Sequence, residues 1–197
     1  MTPLTLLTLS GSLRRSSLNT AMLRMAANCA PPSLDVSRPR SLGDLPLFNP
    51  DLEEHEPASV ARLRHDIARA DALLIASPEY AHGVSGVMKN ALDWMVASGV
   101  FVDKPVVLWN ASPRASHALA ALRETLTVMS ARLIDEASLE LLIKSTDASA
   151  PPVNPDPGSM HRALTALAEV LRLTRLAPSL AQAVHASDEL VAIRRLN

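Results

Sequence analysis

The chain has 197 residues, of which 48% are hydrophobic and 20% are charged, and this is the composition of a folded globular domain. Its formal net charge of −1 gives no general attraction to nucleic acid or to an anionic membrane surface. One cysteine cannot form an internal disulfide, and the six histidines include no H-x-x-x-H pair, so the sequence shows no metal motif. No segment approaches the ~20 apolar residues of a membrane helix and no signal-peptide pattern opens the chain, so we expect a cytoplasmic protein.

The first predicted element is a buried strand over Leu4–Leu9, followed by a loop rich in hydroxyl groups and then a helix. Ser16 or Ser17 is a natural N-cap for that helix. Helix N-termini bind phosphate through free N–H groups and the positive end of the helix dipole. The loop has one glycine and no Gly-Lys-Ser/Thr, which excludes a Walker A loop and a dinucleotide fingerprint. A monophosphate site and a plain capped helix start both remain open on these residues.

The next elements are a weak strand over Leu34–Ser37, a loop over 39–50, a helix over Ala58–Ala70 and a buried strand over Ala72–Ala76. We assign packing rather than chemistry to the loop. Cys29, at the end of the preceding helix, is interpreted as a core residue.

The buried strand over Ala72–Ala76 opens a strand, loop and helix unit, and the stretch from Ser77 to Trp94 follows it. The loop runs from Pro78 to Gly83, and the apolar spacing predicts a helix over Val84–Val96. Pro78 restricts the backbone and Gly83 allows close approach, so the loop is suited to hold a flat ring. The predicted helix is apolar around most of its circumference, which favours a subunit interface with Trp94 as an anchor. Packing of Trp94 within its own subunit is the alternative.

A third strand, loop and helix unit follows, with the strand over Val106–Trp109 and the helix over Ala118–Ala131. The loop between them contains no glycine, and His117 in it is either a surface residue or a donor to a substrate. A fifth strand is predicted over Leu133–Ile143, with an interruption near Glu136.

The C-terminal part is predicted as a proline-rich loop over 147–159 and an amphipathic helix over Met160–Leu173. Residues 1–173 would form the domain. Residues 174–197 form a tail without a clear position, with a short helix over Asp188–Leu196 capped by Ser187 as one arrangement.

The alternation of strands and helices predicts one parallel sheet with helices on both faces. In the order 2-1-3-4-5, the loops after strands 1, 3 and 4 meet at one crevice outside the carboxyl ends of the strands. These are the loops described above.

Two motifs in these loops resemble those of the NADPH-dependent FMN reductases, a family that includes bacterial quinone, azo-dye and chromate reductases. They are S-P-E-Y-x-x-G-x-x-G-x-x-K-N-A-x-D-W from Ser77 and G-S-L-R-x-x-S-x-N from Gly11. The similarity covers roughly residues 3–173. It implies a flavodoxin-like three-layer sandwich with a five-stranded parallel sheet and bound FMN.

The resemblance also implies which residues hold FMN. The phosphate would contact or be shaped by Ser10, Ser12, Arg14, Ser17 and Asn19. The flavin ring would lie against Pro78, Glu79, Tyr80, Ala81, His82 and Gly83. The strand-end residues at the other edge of the ring would be Asn110, Ala111 and Ser112.

The implied activity is an oxidoreductase in which NADPH or NADH reduces FMN by hydride transfer and a small acceptor reoxidises it, in ping-pong order. Quinones, azo compounds, chromate and free flavin all suit an open flavin face. No metal and no catalytic side chain is needed. A homodimer is expected, with pairing into a homotetramer left open. Two alternatives remain: a flavodoxin-like electron carrier, which the small net charge disfavours, and a flavin-free binding module, which the glycine-poor loop favours.

Overall fold

A computed structural model of the chain describes residues 2–37, 41–112, 115–141 and 156–194, with side chains as far as Arg175. The strands are β1 (Leu4–Ser10), β2 (Leu34–Val36), β3 (Ala72–Ala76), β4 (Glu79–Tyr80), β5 (Gly83–Val84), β6 (Pro105–Asn110), β7 (Arg132–Leu133) and β8 (Leu139–Glu140). The helices are α1 (Leu18–Cys29), α2 (Ala58–Arg69), α3 (Gly86–Met95), α4 (Ser116–Val128) and α5 (Pro157–Arg194). Short 3₁₀ turns occur at Pro50–Leu52, Val96–Ser98 and Asp135–Ala137.

The central sheet is parallel throughout the described residues, with strand order β2-β1-β3-β6-β7 and β8 paired to β6. This is the predicted order 2-1-3-4-5, because β4 and β5 form a separate hairpin and β7 with β8 makes up the fifth strand. The predicted interruption of that strand near Glu136 is confirmed, since the 3₁₀ turn Asp135–Ala137 divides it.

Two hydrophobic cores lie on opposite faces of this sheet, because side chains alternate between its faces along each strand. Leu6 and Leu74 face α1 and α5, where Met22, Leu164 and Leu167 are buried. Leu9, Leu73 and Ile75 face α2, α3 and α4, where the buried residues include Leu63, Ile67, Met88, Leu92, Leu122 and Leu126. The expected three-layer arrangement with helices on both faces is therefore present.

Most of the apolar side chains of α3 are buried within this chain, and the predicted role of Trp94 as an interface anchor is wrong. Trp94 is only 5% exposed. Its ring packs edge-on against Phe48, with 5.1 Å between ring centroids, and its indole N–H donates to the carbonyl oxygen of Pro46 at 2.8 Å. Asn90 also bonds this loop, accepting from the N–H of Phe48 and donating to Pro46. The packing role predicted for the loop is thus confirmed.

The loop predicted over Pro78–Gly83 is in fact the hairpin β4–β5, and α3 begins two residues later than expected. The turn residues Ala81 and His82 both have positive φ, at 48° and 61°. Such a turn normally carries Asn-Gly or Asp-Gly, so Ala-His gave no hairpin signal. Ser85 ends the hairpin and caps α3 by accepting a hydrogen bond from the N–H of Met88.

The C-terminal helix does not end near Leu173: α5 continues to Arg194, and Ser187 lies within it rather than at a helix start. Asp156 caps its beginning, accepting from the N–H groups of Gly158 and Ser159. Most of the predicted proline-rich loop lies outside the described residues. Arg175, which lies beyond the predicted end of the domain at residue 173, forms an ion pair with Asp71, the residue directly before β3.

Cys29 ends α1 half-buried against the core, as predicted. Burial, reinforced by the nearby Asp156 carboxylate, raises the pKa of its thiol above the ordinary value. The remaining predicted element boundaries agree with the structure within three residues where they are described.

Candidate functional site

A cavity of about 400 Å³ opens at the carboxyl ends of β1, β3 and β6. This is the crevice where ligands bind in open α/β sheets. Its volume lies in the range of small-molecule sites. The cavity is lined by Leu18, Asn19, Ser77, Pro78, Glu79, Ala81, His82, Asn110, Ala111, Ser112 and Ala115.

The loop between β1 and α1 is held in shape by its own hydroxyl groups. The Oγ of Ser17 caps α1 by accepting from the N–H of Thr20, and the Oγ of buried Ser10 bonds the hydroxyl of Thr20 at 2.7 Å. The Oγ of Ser12 accepts from the N–H of Arg14 at 3.4 Å. The side chain of Arg14 is exposed. The hydroxyls of Ser10 and Ser17 therefore act on the loop, while Arg14 is left available at the start of the helix.

Gly11 sits where this loop passes the end of β3. A Cβ atom at this position would lie 2.3 Å from the Oγ of Ser77 and 2.9 Å from the Oγ of Ser85. The two hydroxyls also lie 3.2 Å from each other. Only glycine leaves room for this contact, so the β1 loop and the start of the hairpin form one wall of the cavity.

Glu79 connects the hairpin to α4. One carboxylate oxygen accepts from the backbone N–H of Ala118, at 2.9 Å in the first turn of α4, and the other lies 3.1 Å from Nδ1 of His82. The pKa of Glu79 is lowered, chiefly by the Ala118 hydrogen bond, with the neighbouring His82 and His117 acting in the same direction and desolvation opposing them. Glu79 is therefore a fixed carboxylate anion at neutral pH.

Two buried amide side chains in the cavity wall carry polar atoms without a hydrogen-bond partner among the described residues. Asn110, at the end of β6, is 4% exposed; its Oδ1 accepts from the N–H of Ser112, and its Nδ2 is unpaired. Asn19, in the first turn of α1, is 8% exposed and its Oδ1 is unpaired. Because unpaired buried polar atoms are rare and costly, these two are available to bond a polar ligand in the cavity.

The structure brings together eight of the fourteen residues expected to hold the cofactor. The eight that line the cavity are Asn19, Pro78, Glu79, Ala81, His82, Asn110, Ala111 and Ser112. The other six, which do not line it, are Ser10, Ser12, Arg14, Ser17, Tyr80 and Gly83. Tyr80 is 60% exposed, since it follows Glu79 on a strand and so projects from the opposite face.

Three lining residues, Leu18, Ser77 and Ala115, were not among the predicted site residues. Leu18 has the helical spacing of a core residue and also packs partly against the core, so its spacing gives no sign of the cavity. Ser77 is the first residue of the S-P-E-Y motif and directly follows a buried strand. That position was the signal that could have predicted it as a site residue. In the part of the chain that the structure describes, no three His, Cys, Asp or Glu side chains form a group able to hold a metal ion. No helix in that part is long and apolar enough to span a membrane.

The strand order and the crevice at the strand ends define a flavodoxin-like domain. The family model of the NADPH-dependent FMN reductases matches residues 4–140, and the chain belongs to this family.

Relatives and solved structures agree with this assignment. The chain is 37% identical over 113 residues to a quinone reductase of Escherichia coli K12, a match that covers 55% of this chain and 60% of that enzyme's length. It is 35% identical to an NAD(P)H-dependent FMN reductase of Pseudomonas aeruginosa, over 70% of this chain and 76% of that one. FerB, a flavoenzyme NAD(P)H:(acceptor) oxidoreductase from Paracoccus denitrificans, superposes with a TM-score of 0.66 and 29% identity, covering 86% of this chain and 93% of FerB.

Proposed function

We propose that this protein is an FMN-dependent NAD(P)H oxidoreductase that reduces small acceptors of the quinone type. The observation that carries the proposal is the cavity at the carboxyl ends of β1, β3 and β6, whose wall holds unpaired buried amide atoms of Asn19 and Asn110. Family membership and the activities of the named relatives support the same function.

The residues present fit FMN. The start of α1, with the exposed charge of Arg14 beside it, suits a phosphate group. Nδ2 of Asn110 is a buried donor for a carbonyl oxygen or ring nitrogen of a flavin, and Asn19 offers an acceptor or, with its amide turned, a donor. The β4–β5 hairpin would lie against the ring.

When bound, FMN supplies a two-electron centre that takes hydride from a nicotinamide and passes electrons to the acceptor. The protein's task is to hold and orient these molecules. Because nicotinamide and acceptor would react at the same cavity, they would bind in turn, which gives ping-pong kinetics. Azo compounds, chromate and free flavin belong to the proposal as further acceptors.

We also propose a homodimer, with a homotetramer as a further step, working in the cytoplasm. Trp94 no longer supports the dimer. Its support is a groove between the ends of α3 and α4, where the apolar side chains of Val96, Val102 and Val128 are exposed. Light scattering at micromolar concentration tests it, with Val128→Glu expected to weaken a dimer and Leu47→Glu, a change at another exposed apolar residue, serving as the control. A monomer mass in the wild type would contradict it.

The activity is tested by steady-state oxidation of NADPH and NADH by the FMN-loaded protein with a quinone as acceptor. Double-reciprocal plots of rate against nicotinamide concentration, made at several fixed acceptor concentrations, are expected to give parallel lines. A protein that binds FMN but oxidises neither nicotinamide would be an electron carrier, and this proposal would be wrong.

A further inference from the structure

His82 lines the cavity from the tip of the hairpin, and the binding of FMN gives it no specific task. Its side chain is 76% exposed, so it is in contact with both the cavity and the solvent. Its backbone has a φ of 61°, a conformation that most side chains avoid.

The imidazole of His82 is oriented by two neighbours. The Glu79 carboxylate lies 3.1 Å from Nδ1 and is itself fixed by the N–H of Ala118. Because the carboxylate only accepts hydrogen bonds, it selects the form of the ring with a proton on Nδ1. Nε2 is then the ring nitrogen available to a molecule in the cavity.

The second neighbour is His117, in the first turn of α4. The two rings meet edge to face, with centroids 4.4 Å apart and an interplanar angle of 77°. The Glu79 carboxylate on the hairpin is the anion that faces this pair, and both histidines interact with it electrostatically. Thus one carboxylate and one imidazole, from two different elements, fix the position of His82.

We propose that His82 is the proton donor to the acceptor in the oxidative half of the reaction, with Glu79 and His117 as positioning residues. This assignment rests on the proposed function and deepens it. It selects acceptors that take up protons together with electrons, of which quinones are the leading class, over acceptors that take electrons alone.

The step balances with one hydride and one proton. A quinone would receive a hydride, which carries two electrons, from the reduced cofactor, which would be reoxidised; the quinone would become the hydroquinone anion. The Nε2–H bond of the His82 imidazolium breaks as an O–H bond forms on the anionic oxygen, and neutral hydroquinone leaves. His82 then regains its proton from solvent, to which it is exposed.

The other side chains that line the cavity are poor candidates for this task. Glu79 has a lowered pKa and is an anion at neutral pH, so it has no proton to give. The remaining polar side chains in the lining are amides and hydroxyls, which do not act as acids near neutral pH without activation. Histidine is the side chain whose ordinary titration range includes neutral pH.

The kinetic test compares two acceptors on the same reduced FMN-loaded enzyme. A quinone requires a proton, whereas ferricyanide takes electrons alone and serves as the internal reference. The variant is His82→Asn, because asparagine tolerates positive φ and cannot act as an acid. We expect the ratio of the quinone rate to the ferricyanide rate at about pH 7 to fall on the order of 100-fold or more, as for loss of a general acid.

The control is His65→Gln, which removes an exposed imidazole from α2. It should leave the ratio unchanged. In the wild type the ratio should be lower at alkaline pH than at acid pH, and His82→Asn should abolish that dependence. An unchanged ratio in His82→Asn overturns the proposal.

A second measurement needs neither FMN nor turnover. Long-range ¹H–¹⁵N spectra of the wild-type apo protein at about pH 8 report which ring nitrogen of His82 carries the proton. The proposal requires Nδ1–H, and finding the proton on Nε2 overturns it even where His82→Asn fails to fold. If wild-type protein oxidises no nicotinamide, the proposed function itself fails; a working quinone reductase with an unchanged ratio refutes only the role of His82.

Discussion

The central sheet has an amino edge, where its strands begin, and a carboxyl edge, where they end. The polar groups described at the amino edge are paired, whereas two at the carboxyl edge keep unpaired atoms. At the amino edge, Asp71 accepts from the N–H of Thr5 at 2.7 Å and from its hydroxyl at 3.1 Å, and pairs with Arg175 of α5. Lys104 donates to the carbonyl oxygen of Ala70 at 2.7 Å. At the carboxyl edge, the buried amides of Asn19 and Asn110 keep unpaired atoms around a cavity.

This difference separates stability from binding. An unpaired buried polar atom costs about 1–3 kcal/mol, so the carboxyl edge lowers the stability of the apo protein and gains hydrogen bonds when a ligand enters. At the amino edge, the hydrogen bonds of Asp71 and Lys104 hold the elements of the fold together instead. Mutations at the amino edge should therefore change unfolding, and mutations at the carboxyl edge should change ligand affinity.

The largest expected effect on affinity is that of Arg14→Ala. Loss of a charge-assisted contact to phosphate should weaken FMN binding by about 1.5–3 kcal/mol, with little effect on folding because Arg14 is exposed. Titration of the apo variant with FMN measures this. Arg24→Ala, at an exposed position further along α1, is the control. Unchanged affinity in Arg14→Ala would transfer the role to Arg15 or remove it.

At the amino edge, Asp71→Ala should lower the free energy of unfolding by about 2 kcal/mol, because it leaves the N–H of Thr5 and the Arg175 guanidinium without their acceptor. FMN affinity should not change. Urea unfolding together with FMN titration gives both values, and Asp35→Ala, at an exposed position on β2, is the matched control. A loss of FMN affinity in Asp71→Ala would break the division between the edges.

Asn110→Ala should show the reverse pattern with a smaller effect. Removing the unpaired Nδ2 should weaken FMN binding by about 1 kcal/mol. The stability of the apo protein should change by less than about 1 kcal/mol, since the lost bond to the N–H of Ser112 is offset by removal of the unpaired atom. If the apo protein were strongly destabilised and bound FMN normally, Asn110 would be a structural residue.

The smallest effect concerns pH and Glu79. Because its pKa is lowered in the folded protein, ionised Glu79 stabilises the fold above its ordinary pKa of about 4.5, and this contribution is lost as pH falls through the folded value. The difference in melting temperature between wild type and Glu79→Gln should be largest near neutral pH and shrink below about pH 4.5. Circular dichroism melts from acid to neutral pH measure it. A difference that does not vary with pH would show that the charge of Glu79 does not contribute to its hydrogen bond with the N–H of Ala118 in α4.

The sequence was sufficient to predict the sheet order, because each strand of the sheet is a short apolar run and a segment of helical spacing separates it from the next. It was also sufficient to place the cavity, since residues directly after parallel strands meet at one edge. The hairpin escaped prediction because an Ala-His turn at positive φ has no recognisable composition. The apolar surface of α3 pointed to a partner because helical spacing cannot show that residues 42–48 of the same chain cover it. The unpaired amides could not be predicted at all, since hydrogen-bond satisfaction depends on tertiary geometry.

The most direct test of the contrast between the two edges is a calorimetric titration of the wild-type apo protein with FMN, combined with melting curves at each ligand concentration. The account predicts saturable binding of one FMN per chain, flavin absorption that stays with the protein, and a melting temperature that rises with the concentration of free FMN. An apo protein that binds no FMN and whose melting temperature stays constant would contradict it.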